Sequence, residues 1–420
     1  MLARLSPFGR KVFYGWWLLA AGTLIMVIQG SLYAYGFSAF FIPLAKTLKT
    51  SRGTLSLAFS FTRLESGLLG PAEGFFIDRF GPRGIMLVGF VLFGLAYLLF
   101  SQIDSIFRFY LIFPLIALGA SMSGFLPVVT AVNNWFDRRR GLATGISSAG
   151  VNLGGVLVGF VAQAIDIFGW RTTAVGVSVL LWVMGLPLTL MMRHRPQDYG
   201  YRPDGNLSNN GNPKAGSGME MDSGTVLGVT AKQALGTSAF WVIAICHAFS
   251  VLIIGAVTVH EIPLLVDAGL SFQLAAWTLS FMTGVALVGR IAGGYIGDLF
   301  GKKPALITCF ILMSAGVLVL ATATTLREAL IFAVLYGVGY GARAPLLIAL
   351  RGDYFGPKNF GAILGLSQPV MMIGSFLGPV VAGYAYDVQG SYQMVFTIIA
   401  VVNLVGAGFV LLIKKPSFSS

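Results

Sequence analysis

Only 10% of the 420 residues are charged, only three are histidine and only two are cysteine. The shortage of charge excludes a disordered chain and an ordinary soluble domain, in which about a quarter of the residues are charged. His194, His247 and His260 supply no zinc-binding pair, and no nucleophile elbow or phosphate loop is present. Cys246 and Cys309 each fall inside an apolar run without metal-ligand spacing, so they read as packed thiols. Gly337-Val-Gly-Tyr-Gly341 follows no strand and reads as close helix packing. An enzyme is not expected, and neither is a cofactor or a metal. The formal charge of +12 does not indicate nucleic acid, because the 28 Lys and Arg lie mostly in short clusters between apolar runs.

Apolar residues dominate instead, at 56% of the chain with a mean hydropathy of +0.81. A hydrocarbon core of about 30 Å needs about 20 apolar residues per helical crossing. The sequence offers twelve such runs: 14–37, 55–77, 84–102, 109–132, 141–165, 171–192, 239–262, 272–297, 303–323, 328–350, 361–386 and 392–413. The first run is too long for a cleavable signal and lacks a small-residue cleavage site. Nineteen Lys and Arg fall at the termini and in the loops after even-numbered runs, against six on the other side, which places both termini in the cytoplasm. The stretch 193–236 is the one long polar segment and reads as a cytoplasmic linker, with a short interfacial helix expected over 230–235. The expectation is an all-α integral membrane protein with twelve transmembrane helices in two pseudo-symmetric six-helix bundles, residues 1–192 and 237–420.

The halves repeat each other. Gly74, Asp78, Gly81 and Arg83 recur 220 residues later as Gly294, Asp298, Gly301 and Lys303. Gly141, Gly145 and Gly154 recur at the same shift as Gly361, Gly365 and Gly374, and Asp166 and Gly169 recur at 221 as Asp387 and Gly390.

Gly74-Phe-Phe-Ile-Asp78-Arg79-Phe-Gly81-Pro-Arg83 resembles the signature loop between helices 2 and 3 of the major facilitator superfamily, and Gly294 to Lys303 is its second-half copy. The resemblance covers essentially the whole chain. It implies gating roles at the cytoplasmic face for Asp78, Arg79, Arg83 and Asp298. Within the superfamily the chain is similar to the monocarboxylate porter and oxalate:formate antiporter group. That likeness rests on Tyr14-Gly-Trp-Trp17, Trp135-Phe-Asp-Arg-Arg-Arg-Gly-Leu-Ala-Thr-Gly145, Pro196-Gln-Asp-Tyr-Gly200 with Pro203-Asp-Gly205, and Arg290 in the eighth run. Three departures are plain. Ala286 stands where animal monocarboxylate porters place an acid one turn before that arginine. The first run has no lysine, and Ser367 and Gln368 stand where oxalate carriers have one.

Three basic residues fall inside apolar runs: Arg63, Arg290 and Arg343. A charge at the bilayer centre costs at least about 2.5 kcal/mol, so each needs a partner or a task. Arg290 has no acid within a turn on its own helix, and eight residues from Asp298 put it about 12 Å from the cytoplasmic boundary, near the depth at which carriers bind cargo. Its planar fork matches a carboxylate. Arg343 lies at a similar depth with Tyr336 and Tyr340 on the same run; it completes an anion site or forms a cytoplasmic gate pair. Tyr33 completes the candidate substrate-binding set. Arg63 and Glu65 are two apart, point to different faces and cannot pair with each other. His260 and Glu261 end the seventh run toward the outer mouth. Arg63 is expected to pair with Glu261 in a closed outer gate, and His260 or Glu261 to take up a proton. His247 reads as a hydrogen-bonding contact to a neighbouring helix.

The function expected is secondary active transport of a small monocarboxylate of the lactate, pyruvate or acetate type by alternating access with proton symport. The alternatives are an organic anion exchanger of the oxalate/formate type or a non-transporting membrane sensor. The partners expected are a small organic anion, a proton and the lipid bilayer. The location expected is the plasma membrane, or the inner membrane if the source is bacterial.

Overall fold

A computed structural model describes residues 13–205, 230–356 and 360–414, with the side chains at 64–68, 70, 71, 78, 205, 231, 360 and 361 outside the description. Ten helical stretches among the described residues are long and apolar enough to cross a membrane. The twelve expected helices are recovered once two glycines are taken into account. One continuous stretch, Arg52–Phe100, turns at Gly81 (φ 76°), and Arg140–Leu190 contains a second turn at Gly169 (φ 78°). Both φ values lie in the left-handed region that favours glycine.

The helices are α1 (Tyr14–Leu48), α2 (52–80), α3 (82–100), α4 (Ile106–Trp135), α5 (140–168) and α6 (170–190), then α7 (Ser238–Asp267), α8 (Phe272–Phe300), α9 (Lys302–Thr322), α10 (Leu326–Phe355), α11 (Phe360–Gln389) and α12 (Gln393–Leu412). Side-chain caps start several of them. Thr237 accepts from Phe240 N at 3.3 Å, Ser271 from Leu274 N at 3.3 Å, and Thr325 forms a reciprocal box with Glu328. The short helix expected after the linker is present as Ala231–Leu235, begun by a Thr230–Gln233 capping box. α1 runs eleven residues past its expected end at 37. A π-helical turn, Gly30–Ala34, interrupts the regular period there, and the helix resumes at Gly36–Leu48.

The chain divides into two compact bodies, one of residues 1–36, 68–155 and 167–213, the other of 37–67, 156–166 and 214–420. In the first, α1 meets α5 where Gly30 and Gly154 face the carbonyls of Val151 and Val27. α3 meets α4 at Gly89 and Gly119, and α3 meets α6 at Gly94 and Gly185. In the second, α7 meets α11 where Gly374 and Gly378 face the carbonyls of Ala248 and Leu252. α9 meets α10 at Gly316 and Gly339, and α9 meets α12 at Gly406. Each pairing in the first body thus recurs six helices later in the second. The turns recur too: Gly81 and Gly301 (φ 91°) are repeat partners, as are Gly169 and Gly390 (φ 68°). The repeat visible as punctuating residues is a repeat of backbone geometry and of helix contacts.

Candidate functional site

In the second body α8 and α10 approach so closely that the glycines between them have no room for a side chain. A Cβ on Gly341 would strike the Ala286 carbonyl and lie 2.8 Å from the Arg290 amide nitrogen, and one on Gly337 would lie 2.7 Å from the Met282 carbonyl oxygen. This contact sets Arg290 beside Arg343, and the two guanidinium groups interact electrostatically. Arg343 is only 5% exposed. Its Nη1 donates to the Ser250 hydroxyl at 2.6 Å, while its buried Nε has no hydrogen-bond partner. Tyr336 and Tyr340, one turn apart, stack with centroids 5.8 Å apart and planes at 16°. Tyr336 lies within electrostatic range of both Arg343 and Glu261. Glu261 is fully buried, and neither of its carboxyl oxygens has a hydrogen-bond partner. Five sequence candidates therefore share one neighbourhood: Arg290, Arg343, Tyr336, Tyr340 and Glu261. Tyr33 belongs to the first body, on the π-helical turn beside Tyr97, whose hydroxyl donates to the Leu32 carbonyl.

The expected pair of Arg63 with Glu261 is not formed. The Arg63 guanidinium carbon lies 4.9 Å from the centre of the Phe59 ring, one turn earlier on α2, while Glu261 accepts no hydrogen bond. The aromatic face one turn away supplies the cation with a local partner.

His260, the other candidate for proton coupling, is fully buried and closely held. Its Nε2 lies 3.0 Å from the Pro379 carbonyl, which only accepts, so Nε2 bears the hydrogen; Nδ1 then accepts from the Tyr392 hydroxyl at 2.9 Å. Ser56, 3.0 Å from Nε2, donates to the Arg52 carbonyl at 2.7 Å. The same network contains contacts that sequence reasoning missed. Arg52 forks onto Asp267 at 2.5 and 2.9 Å, donates to Tyr392 at 3.0 Å and lies 3.9 Å over the Tyr386 ring. Asp387 accepts from the amides of Arg52 and Gly53 at 2.9 and 2.8 Å, capping α2. By sequence Arg52 is only a loop charge, and the one signal of this cluster is Asp387, as the repeat partner of Asp166.

At the expected gates the Asp78 side chain lies outside the described residues. Asp298 is exposed, and its neighbour Lys302 pairs with Asp353 of α10 at 2.6 Å. Arg79 lies 5.6 Å from the Phe80 ring, and Arg83 is exposed. His247 makes the expected contact with a neighbouring helix, receiving Arg351 Nη2 of α10 at 3.1 Å. A further buried acid, Glu73 on α2, hydrogen-bonds the Ser121 hydroxyl of α4.

The motifs behind the family resemblance meet in one assembly in the first body. Arg193 lies between the rings of Tyr14 and Tyr199, at 4.0 and 4.2 Å, and its carbonyl accepts from Trp135 Nε1 at 3.0 Å. Asp204 accepts from the amides of Asp137 and Arg138 at 3.2 and 2.7 Å, tying this segment to the turn that precedes α5. Residues 193–205 of the expected linker therefore pack onto the bundle.

The Major Facilitator Superfamily model matches residues 19–298 and 243–420. Monocarboxylate transporter 13 of Bos taurus is 27% identical over 96% of this chain and 90% of its own length. MFS transporter asaE of Aspergillus flavus is 25% identical over 82% of this chain and 73% of its own. Among solved structures, a bacterial homologue of the human lysosomal transporter Spinster, in an inward-facing and occupied conformation, superposes with a TM-score of 0.72 at 16% identity, covering 96% of this chain and 97% of that one. Twelve helices in a repeated packing pattern, a cationic cluster within one body and a family match spanning nearly the whole chain agree: the protein belongs to the Major Facilitator Superfamily and is a multi-pass membrane transporter that resembles the monocarboxylate porters.

Proposed function

We propose that the protein carries a small monocarboxylate of the lactate, pyruvate or acetate type together with a proton, by alternating access, in the plasma membrane with both termini cytoplasmic. The observation that carries this reading is the occurrence of a partly buried cationic site and a buried acid in one body. Arg290 and Arg343 offer guanidinium groups beside the stacked Tyr336 and Tyr340, and Glu261 sits in electrostatic range of Tyr336 with both oxygens lacking donors. A carboxylate charge buried without donors is costlier than the neutral acid, so Glu261, rather than the hydrogen-bonded His260, is assigned the proton. One anion moving with one proton carries no net charge. The names of the curated relatives agree with a monocarboxylate cargo.

The test is uptake of radiolabelled L-lactate into proteoliposomes with and without an inward proton gradient, beside Arg290→Ala. Uptake driven by the gradient and lost in the variant supports the reading. Absence of uptake for lactate, pyruvate and acetate alike refutes the cargo. A second reading, exchange of organic anions, is favoured by Arg343: it supplies a second fixed cation near Arg290 although α11 carries no lysine. Uptake requiring internal oxalate or formate rather than a proton gradient would select it.

A further inference from the structure

Below Arg343 on the same face of α10 lies a second buried guanidinium that the proposed cargo site does not use. Arg351 is 2% exposed. Its Nη2 donates to His247 Nδ1 at 3.1 Å, and its buried Nη1 has no hydrogen-bond partner. Because arginine only donates, Nδ1 must accept, so His247 is neutral and carries its hydrogen on Nε2. That N–H is a further donor, and no described group accepts from it. His247 and Ser250 are one turn apart on α7. Ser250 donates to the His247 carbonyl at 2.7 Å and accepts from Arg343 Nη1 at 2.6 Å. The result is a continuous ladder, Arg343, Ser250, His247, Arg351, spanning about 12 Å along α10. Both of its ends leave a buried N–H unpaired, at Arg343 Nε and Arg351 Nη1. Among the described residues no carboxylate lies within ion-pair distance of either arginine, so donors are in excess of acceptors along the whole ladder.

We propose that Arg351 and His247 form a second anion station, distinct from the site at Arg290, which takes a carboxylate at the Gly356 end of α10 and passes it to or receives it from Arg343. Three features fit a carboxylate. Arg351 keeps one edge of its fork occupied by a neutral imidazole and the other open, so it is oriented before an anion arrives. The His247 Nε2–H gives a second donor beside the fork. The shared face of α7 then provides a path on which one guanidinium is exchanged for the next about 12 Å away, without the anion losing all its donors at once. That the occupant is the transported monocarboxylate rests on the proposed function; that the station binds anions does not.

The chain has three histidines, so protein labelled with 15N-histidine shows three imidazoles, and His247→Gln identifies the one that matters. The measurement is a titration of the full chain in nanodiscs with L-lactate, formate, oxalate and inorganic phosphate. The proposal expects a saturable shift of the His247 signal that survives in Arg290→Ala. It expects at least about a tenfold weaker response in Arg351→Lys, which keeps the charge and loses the fork, and none in Arg351→Ala. A response to oxalate or phosphate but not to lactate supports the station while removing the proposed cargo. No response to any of the four anions, or a response that disappears in Arg290→Ala while that variant stays folded and monodisperse, overturns the station.

Discussion

Removing the Arg52 side chain should loosen the hold of α2 on α7, α11 and α12 by a measurable factor. Arg52 touches three groups: Asp267 through a two-point fork, the Tyr392 hydroxyl and the Tyr386 ring. The fork is partly exposed, with side chains 17% and 33% accessible, so screening holds it to about 0.5–1 kcal/mol. The stacked ring adds about 0.5–1 kcal/mol and the phenol hydrogen bond about 1 kcal/mol. These contacts share one side chain and do not add fully; about 2 kcal/mol is a fair total, or about a 30-fold change in the opening equilibrium. The backbone cap from Asp387 survives the substitution and sets the residual hold. Ser56, fully buried against His260, is the reporter. In a chain with the buried Cys246 and Cys309 replaced by alanine, Ser56→Cys should react with a small maleimide about 30-fold faster when Arg52→Ala is added. Arg108→Ala breaks an ion pair whose members are 57% and 59% exposed and should leave the rate unchanged. An Arg52→Ala rate within threefold of the parent, or an equal acceleration by Arg108→Ala, would refute the assignment of this hold to Arg52.

Three further outcomes follow from the same contacts. Glu261→Gln should abolish lactate uptake driven by a proton gradient while sparing exchange of internal for external lactate; a variant that still responds fully to the gradient removes Glu261 from proton coupling. Gly341→Ala places a methyl against the Ala286 carbonyl and 2.8 Å from the Arg290 amide, and should lower stability by about 1–3 kcal/mol, whereas Gly294→Ala, with nothing within 4 Å, should be neutral or slightly stabilising. Thermal unfolding in one detergent compares the two, and equal melting temperatures would contradict the packing. Asp204→Ala should cost about 1–2 kcal/mol by removing both hydrogen bonds to the turn before α5. Asp204→Asn should cost less, because asparagine tolerates the left-handed backbone at this position (φ 60°), and the same unfolding assay ranks them.

What depends on local pattern is legible in the amino-acid sequence by itself. Helix number follows from the length of the apolar runs, and the repeat follows from glycines whose φ only glycine readily adopts, so Gly81, Gly169, Gly301 and Gly390 stand out by their spacing alone. The neighbourhood of Arg290, Arg343, Tyr336 and Tyr340 is legible for a related reason. Charges and phenols at similar depth on two helices rich in small residues have few places to go. Pairing partners are not legible, because they depend on side-chain direction and on helices distant in sequence. Arg63 has an aromatic ring one turn away on its own helix, which a search for opposite charge overlooks. His260 resembles a free titrating group in the sequence because Pro379 and Tyr392, which occupy its two nitrogens, lie more than a hundred residues later. The extension of α1 is hidden because a π-helical turn breaks the periodicity used to find a helix end.

Under the proposed function, the arrangement of Glu261 and the arginines also accounts for why anion and proton should move together. An ionised Glu261 and a carboxylate bound at Arg343 would meet across Tyr336, which lies in electrostatic range of both Glu261 and Arg343. At a separation of about 10 Å and an effective dielectric of about 20, two like charges oppose each other by about 2 kcal/mol. A proton on Glu261 removes that opposition and strengthens anion binding by about 30-fold, and by linkage the bound anion strengthens proton binding equally. No contact between the two ligands is needed. An anion beside an ionised Glu261 meets that repulsion, while the mutual repulsion of Arg290 and Arg343 is relieved when the anion binds. The loaded state, with the anion bound and Glu261 protonated, avoids both costs. Glu261→Gln fixes the neutral form, so its lactate affinity should become independent of pH while the parent's rises on acidification; equal pH dependence in both would place the coupling elsewhere, with Glu73 on α2 the next buried acid to examine.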